Sequence, residues 1–326
     1  MKISIIGCGA WGTCFAKICA DAGNEVLAWT REAETVEEIN SSHSNKSYLG
    51  SGFRLPESVR ATRSPEDLAW GEVVVSALPC QALRSALPAF KDWTAGKPVV
   101  SLTKGMENGT AALPSQVIEE CLGTDPGRVF ALGGPNLAAL LAKEEPAAAV
   151  VAGGSQEERG RLALVFSTPY FAVSPSGDLT GVQVWGALKN VAAIACGMAA
   201  GAGFGENTAA VLVAAALSEI EALAIKLGAS AETMEGPAGV GDLVCTASSH
   251  LSRNFSLGYS MGLGVDVEAA ARGVKGVTEG KDTITSALFL AKKYDSPMPL
   301  AQGIEKVMEG EGDFSSLFSN ISKGRS

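Results

Sequence analysis

The residues Ile3-Ser4-Ile5-Ile6, followed by Gly7-Cys8-Gly9-Ala10-Trp11-Gly12, limit the possible folds more than any other stretch of this chain. A β-branched run gives way to Gly-x-Gly-x-x-Gly, and the pattern then turns helical over about 12–22. In a strand–turn–helix unit of this kind the first glycine permits the tight turn. The second lets the backbone approach a pyrophosphate, and the third lets helix and strand pack closely. The helix N-terminus favours the negative charge that arrives there. Six residues of Gly-rich turn are common on their own; their place between strand and helix gives them force. Gly7, Gly9 and Gly12 are therefore the candidate dinucleotide-binding positions.

Further strand patterns fall at 25–29, 59–61, 73–76, 99–102, 129–132 and 148–151, with helical patterns such as 65–70 and 113–121 between many of them. Strands spaced by helices predict a parallel sheet with right-handed crossovers. After about Gly181 the pattern changes to long Ala-rich helical segments at 181–200, 207–227, 283–294 and 300–308, and Pro299 suits the opening turn of the last. The expected fold is α/β: an N-terminal Rossmann domain with a doubly wound parallel sheet over residues 1–180, and a C-terminal all-α domain over 181–326.

A chain of 326 residues, 46% hydrophobic and 19% charged, is long enough for two such cores. Its net charge of -9 argues against nucleic acid as a partner, because no excess of basic residues exists to neutralise phosphates. The 38 glycines cluster, which predicts several close backbone approaches. Seven cysteines, an odd number with no C-x-x-C pair, read as reduced thiols of a cytoplasmic protein. Two histidines argue against a histidine-based metal site, and no metal is expected. The apolar stretch before Cys8 is too short for a signal peptide, and the near-spanning segment 181–199 carries Lys189 and Asn190 at its centre, so no membrane span is expected.

Lys189 is the only charged residue between Leu179 and Gly205. Desolvation in so apolar a run disfavours the ammonium and lowers its pKa, which suits a general base. A lysine snorkelling from a helix to the surface, or an odd charge in a membrane span, are the competing readings. At the carboxyl ends of expected strands, where doubly wound sheets bind ligands, lie Ser76-Ala77-Leu78-Pro79, Thr103-Lys104-Gly105 and Gly133-Gly134-Pro135-Asn136. Trp29-Thr30-Arg31-Glu32 closes the second strand. Arg31 suits the 2′-phosphate of NADP and Glu32 the free ribose of NAD, so NADP(H) is favoured with NAD(H) as the alternative. Farther on, Gly239-Val240-Gly241-Asp242 is expected to place a carboxylate on a tight loop. Ser252-Arg253-Asn254 reads either as a capped helix start forming an anion site or as a cap with a surface arginine.

These segments resemble, in order, the bacterial-type NAD(P)-dependent glycerol-3-phosphate dehydrogenases: GCGAWGT, NKSYLG, VVVSALP, SLTKGME, GGPNLA, GALKNVAAIACG, GFGENTAA, GVGDLVCT, SRNFSLG and GVTEG. The resemblance implies an active site between the two domains, with Lys189 catalytic. Lys104, Gly134, Asn136, Asp242, Ser252, Arg253 and Asn254 fall on positions surrounding glycerol 3-phosphate. Ala10, Trp11, Arg31, Ala138, Val277 and Glu279, with Lys104 and Arg253 again, fall on positions lining the dinucleotide. The implied reaction is reversible reduction of dihydroxyacetone phosphate to sn-glycerol 3-phosphate, supplying glycerophospholipid synthesis. A homodimer acting on a small phosphorylated substrate is expected. Two departures stand out: Asn136-Leu137 where the family usually has Ser-Phe, and Val213-Ala214-Ala215-Ala216 where it often carries Thr-Arg-Gly-Leu. A β-hydroxyacid dehydrogenase is disfavoured because Ala192, not Asn, stands three residues after Lys189. A non-catalytic dinucleotide sensor is disfavoured because Lys104, Lys189, Asp242 and Arg253 are all retained.

Overall fold

Strand β1 (Lys2–Ile6) is buried from Ile3 onward, and the same near-continuous burial runs through β4 (Val73–Ser76), β5 (Val99–Ser101) and β6 (Val129–Gly133). Runs of Val and Ile without polar alternation are what a sheet covered on both faces requires. With β2 (Glu25–Trp29), β3 (Val59–Thr62), β7 (Ala147–Gly153) and β8 (Phe171–Ser176), these strands form one sheet of order β3-β2-β1-β4-β5-β6-β7-β8 among the described residues. The computed structural model describes residues 1–274, 279–314 and 317–318. The order reverses between β1 and β4, the switch point at which doubly wound sheets bind dinucleotides.

Strands β3 to β6 run parallel as expected, but β7 lies antiparallel to β6, with Leu132 opposite Val151. The connection holds only the one-turn helix Ala138–Leu141 and no full crossover helix, and the chain doubles back beside β6. β8 lies outside the expected strands because Pro175 interrupts its pattern; the residue is accommodated on an edge strand paired on one side only. The segment Pro65–Trp70 is a 3-10 turn rather than an α-helix.

The chain divides into two compact units, one of Met1–Thr103 with Pro114–Leu179, the other of Lys104–Leu113 with Thr180–Ser326. A single division at residue 180 left Lys104–Leu113 in the first domain; the structure assigns it to the second. Met106 and Ala111 are buried in the second unit's apolar core, and Ser286 Oγ donates to Glu107 O at 3.3 Å. Asn108 Nδ2 donates to Asp282 Oδ1 at 2.9 Å.

The second unit is built on Leu179–Gly201, buried from Gly181 to Ala199. This helix and Glu206–Lys226 are both long and apolar enough to cross a membrane; 89% of the first one's apolar window and 39% of the second's are buried inside the protein. Helix Arg253–Gly262 packs against Leu179–Gly201 backbone to backbone. A Cβ on Gly197 or Gly201 would stand 2.1 Å from the carbonyl oxygens of Phe255 and Tyr259 respectively. One on Gly258 or Gly262 would stand 2.0 or 2.2 Å from those of Ile194 and Met198. Four glycines, two on each helix at four-residue spacing, set this approach, and any side chain there would force the helices apart.

Glu219, buried in Glu206–Lys226, accepts from Leu300 N at 2.6 Å and Ala301 N at 3.3 Å, closing the first turn of Pro299–Met308. Burial pushes its carboxyl up to about 7, against the pull of those two N–H groups. Between its ordinary value and about 7 the folded protein holds a proton that the unfolded chain has released. Its contribution to stability therefore falls as pH rises through that window. In urea melts, wild type should lose on the order of 2 kcal/mol relative to Glu219→Gln between about pH 5.5 and about pH 8. A difference that stays constant with pH would mean the carboxylate is ionised throughout.

Candidate functional site

The three glycines after β1 do three different things. Gly7 sits at φ +109°, a conformation closed to L side chains. A Cβ on Gly12 would stand 2.0 Å from Gly7 O, so the third glycine is what lets helix Ala10–Asp21 lie on the turn. A Cβ on Gly9 would meet nothing within 4 Å, and Gly9 caps the helix with no side-chain acceptor. Its missing side chain leaves space for something outside the fold. Ala10 and Trp11 open the helix, and Trp11 Nε1 is buried without a hydrogen-bond partner among the described residues. Burial pushes the Cys8 thiol up to about 12, so the thiol within the turn is inert.

At the end of β2, Arg31 is 86% exposed and only loosely paired, its Nε 3.7 Å from Glu32 Oε1. The Glu32 carboxylate accepts from Thr30 Oγ1 at 3.1 Å. Past β6, Gly134 takes φ +147°, and a Cβ there would stand 2.6 Å from Ala148 O. Two residues on, both polar atoms of the Asn136 amide are buried with no partner among the described residues. A buried amide left wholly unpaired costs a few kcal/mol. Ala138 starts the one-turn helix that follows.

In the second unit, Lys104, Lys189 and Asp242 meet. Lys189, on the buried helix Leu179–Gly201, is 5% exposed, and its Nζ donates to Asp242 Oδ1 and, at 2.7 Å, to Thr246 Oγ1. Lys104 Nζ donates to the other carboxylate oxygen, Asp242 Oδ2, at 2.7 Å. Asp242 is not on a loop, as the sequence suggested. Pro237–Gly241 makes a π-type turn, kinked at Gly239 where the backbone leaves helical geometry (φ -96°, ψ -108°), that leads into helix Asp242–Ala247, of which Asp242 is the first residue. Gly239 makes that turn possible, since a Cβ there would stand 2.3 Å from Met234 O. Thr246 went unnoticed in the sequence. Its signal was the i, i+4 spacing from Asp242, which brings both side chains to one helix face; its hydroxyl donates to Asp242 O at 2.7 Å and so turns a lone pair to Lys189.

Two ammoniums share one carboxylate here. Burial drives the Lys189 pKa down towards neutrality, Asp242 opposes the shift and Lys104 reinforces it. Loss of the Lys189 proton leaves Lys104 and Asp242 as a neutral pair. The more buried ammonium is the one that gives up its charge most readily.

Ser252 caps helix Arg253–Gly262, accepting from Phe255 N at 3.2 Å, as its position suggested. Asn254 is buried and its Oδ1 accepts from Gly280 N at 3.1 Å, tying it to helix Glu279–Lys293, which Glu279 opens. Arg253 is exposed and makes no hydrogen bond or ion pair among the described residues. Val277 lies outside the described residues. Among the described residues no three His, Cys, Asp or Glu side chains gather as a metal site.

A turn that clears space for a pyrophosphate and a buried lysine at the margin of ionisation serve hydride and proton transfer, the chemistry of a nicotinamide-dependent dehydrogenase. The sequence carries the assignment further. Residues 2–159 match the N-terminal part, and 178–319 the C-terminal part, of the NAD-dependent glycerol-3-phosphate dehydrogenases, and the chain belongs to that family. It is 41% identical over 310 residues to the glycerol-3-phosphate dehydrogenase (NAD(P)+) of Corynebacterium urealyticum, covering 94% of this chain and 93% of that one. Against the enzyme of the same name from Corynebacterium glutamicum it is 42% identical over 307 residues, 93% and 92% of the two chains. The solved glycerol-3-phosphate dehydrogenase from Coxiella burnetii superposes with a TM-score of 0.90 at 29% identity, covering 99% of this chain and 98% of that one.

The glycines of the turn predict opposite phenotypes. Gly12→Ala should lose the native fold of the first unit, because its Cβ overlaps a backbone oxygen. Gly9→Ala should melt within a few degrees of wild type, the cost of Ala at an N-cap being about 1 kcal/mol or less, yet bind dinucleotide at least tenfold more weakly. Calorimetric melting and titration with NADPH separate the two. Full affinity in Gly9→Ala would mean that the dinucleotide does not approach at this point.

Proposed function

We propose that this chain catalyses the reversible, NAD(P)H-dependent reduction of dihydroxyacetone phosphate to sn-glycerol 3-phosphate, supplying glycerophospholipid synthesis, with Lys189 as the proton-transfer group. The observation that carries the reading is the buried Lys189–Asp242–Lys104 cluster, whose charge balance improves when Lys189 parts with its proton. The dinucleotide, when bound, supplies or takes the hydride. Gly7, Gly9, Ala10, Trp11, Gly12 and Ala138 would hold it, and the space over Gly9 and the unpaired Trp11 Nε1 fit that role.

During reduction the Lys189 ammonium gives its proton to the substrate's C2 oxygen. During oxidation the neutral amine takes the proton from the C2 hydroxyl. Thr246 and Asp242 hold Nζ in place through both half-reactions. Asn136, whose amide has no partner among the described residues, and Arg253, whose guanidinium makes no hydrogen bond or ion pair among them and feels the charge of Glu279, supply a hydrogen-bonding group and a positive charge suited to the hydroxyl and phosphate ends of such a substrate. Ser252 and Asn254 fix the helix that presents Arg253.

The finer reading is that NADP(H) is preferred, supported by the exposed and weakly paired Arg31 at the end of β2, with Glu32 leaving NAD(H) usable. A cytoplasmic homodimer with no nucleic-acid partner and no membrane span completes the proposal, in line with the net charge of -9 and the free thiols of all seven cysteines.

Lys189→Ala should lower turnover at least about 100-fold, within the range for loss of an acid–base group, while NADPH still binds. Retention of more than about a tenth of the wild-type rate would remove Lys189 from the chemistry. In the reduction direction the rate should fall as pH rises through the depressed Lys189 pKa. Lys104→Met, which removes a neighbouring positive charge, should move that falling limb to higher pH. A limb that does not move would belong to another group.

Arg31→Asp should shift preference from NADPH to NADH, because a carboxylate repels the 2′-phosphate and accepts from a free ribose hydroxyl. Kinetics with both reduced cofactors test it. Equal loss with both, or none with either, would show that Arg31 does not read the phosphate.

A further inference from the structure

Asn45 opens the short helix Lys46–Leu49 at its N-cap, yet its side chain makes no capping bond. Asn is among the residues that cap best, so a cap position that leaves the side chain unused points to another demand on it. That demand lies 37 residues back. Asn45 Nδ2 donates to Cys8 O at 2.9 Å and to Thr13 Oγ1 at 2.8 Å, and Thr13 Oγ1 itself donates to Cys8 O at 3.0 Å. Asn45 is wholly buried, and its Oδ1 has no partner among the described residues. Only the donor half of the amide is used, and the burial of an unpaired acceptor is tolerated to keep it.

Cys8 O, which accepts from both Asn45 and Thr13, is the carbonyl between the first two glycines of the turn. In a trans peptide the C=O and the following N–H point in opposite directions. Drawing Cys8 O towards Asn45 and Thr13 therefore turns the Gly9 N–H away from them, and this N–H has no partner among the described residues. The flanks of Asn45 are held as well. Glu38 Oε1 accepts from Ser44 Oγ at 2.8 Å and from Lys46 N at 3.0 Å, and His43 turns the chain at φ +46°.

We propose that Asn45 is a positioning residue for the dinucleotide: its amide locks the Cys8–Gly9 peptide so that the Gly9 N–H faces the pyrophosphate. The proposal rests on the dinucleotide reading given above. It adds that the turn does not hold its phosphate-binding shape by its glycines alone. A rigid donor carried on the segment after the second helix sets the orientation of one peptide, in the same stretch of chain that begins with Arg31.

Asn45→Leu keeps the volume and removes the donors. Thr13→Val keeps the shape and removes the other bond to the same carbonyl. Calorimetric titration of the full chain with NADPH, and with adenosine 2′-monophosphate, which has no pyrophosphate, separates a positioning role from a structural one. NADPH should bind about 10- to 100-fold more weakly to Asn45→Leu, the loss of one charge-assisted hydrogen bond, and several-fold more weakly to Thr13→Val. The KM for NADPH should rise by the same factor with little change in kcat, while adenosine 2′-monophosphate binds within about twofold of wild type. Equal weakening of both ligands, or of neither, would overturn the proposal. Should Asn45→Leu fail to fold, Thr13→Val decides by the same comparison. The dinucleotide reading fails separately, in wild type, if neither NADPH nor NADH is taken up, and the proposal then falls with it.

Discussion

Asp242 is 1% exposed and accepts from two lysine ammoniums, one on each carboxylate oxygen. Removing one partner of a buried, hydrogen-bonded ion pair costs about 3–5 kcal/mol, because the charge left behind remains desolvated. Here one carboxylate answers two such charges, so the second unit closes only when three separate pieces of chain arrive in register. Lys104 comes on a short excursion, Lys189 on the central helix, and Asp242 at the head of a helix launched by a π-turn. The glycine-to-backbone packing of Leu179–Gly201 against Arg253–Gly262 serves the same end, since it leaves the central helix no room to rotate. A rigid scaffold of this kind suits the proton-transfer role proposed for Lys189, because a misplacement of an ångström can cost two orders of magnitude in rate.

Much of this was legible in the residues. β-branched runs located six of the strands that follow β1, because buried parallel strands leave an unbroken apolar trace. Lys189 declared itself as a lone charge among small apolar residues, and the desolvation argument gave the right direction for its pKa. What the sequence hid depended on contacts made at long range. The antiparallel turn into β7 follows from a connection without a crossover helix, and β8 was masked by Pro175. The π-turn before Asp242 looked like any Gly-rich loop until the backbone atoms of Met234 and Thr233 showed why Gly239 has no side chain. Thr246 carried only a helical spacing, which has no meaning until Asp242 is known to be helical.

The resemblance to the glycerol-3-phosphate dehydrogenases located candidate residues without saying how each is held. Asn136 shows the difference. The family comparison marks it as a departure in size and chemistry, and the structure finds its amide buried with both ends free, a state that only a ligand or water relieves. Arg253 and Ser252 show the complementary case, in which one residue of the tripeptide is engaged in the helix cap and its neighbour is exposed, with no hydrogen bond or ion pair among the described residues. Adjacent residues of one motif thus divide between holding the backbone and facing outward.

The excursion of Lys104–Leu113 means that the chain passes between the two units three times rather than once. A gene cut at residue 180 would express a second unit lacking Met106 and Ala111 from its core and Lys104 from its charged centre. During synthesis the same segment leaves the ribosome well before Asp242 or Ser286 exists, so its partners lie some 140 to 180 residues downstream. Contacts of such sequence separation form late and slow folding. The two units are therefore separable as cores but not as fragments, and shuffling this dinucleotide unit onto another helical unit would demand a matching decapeptide exchanged with it.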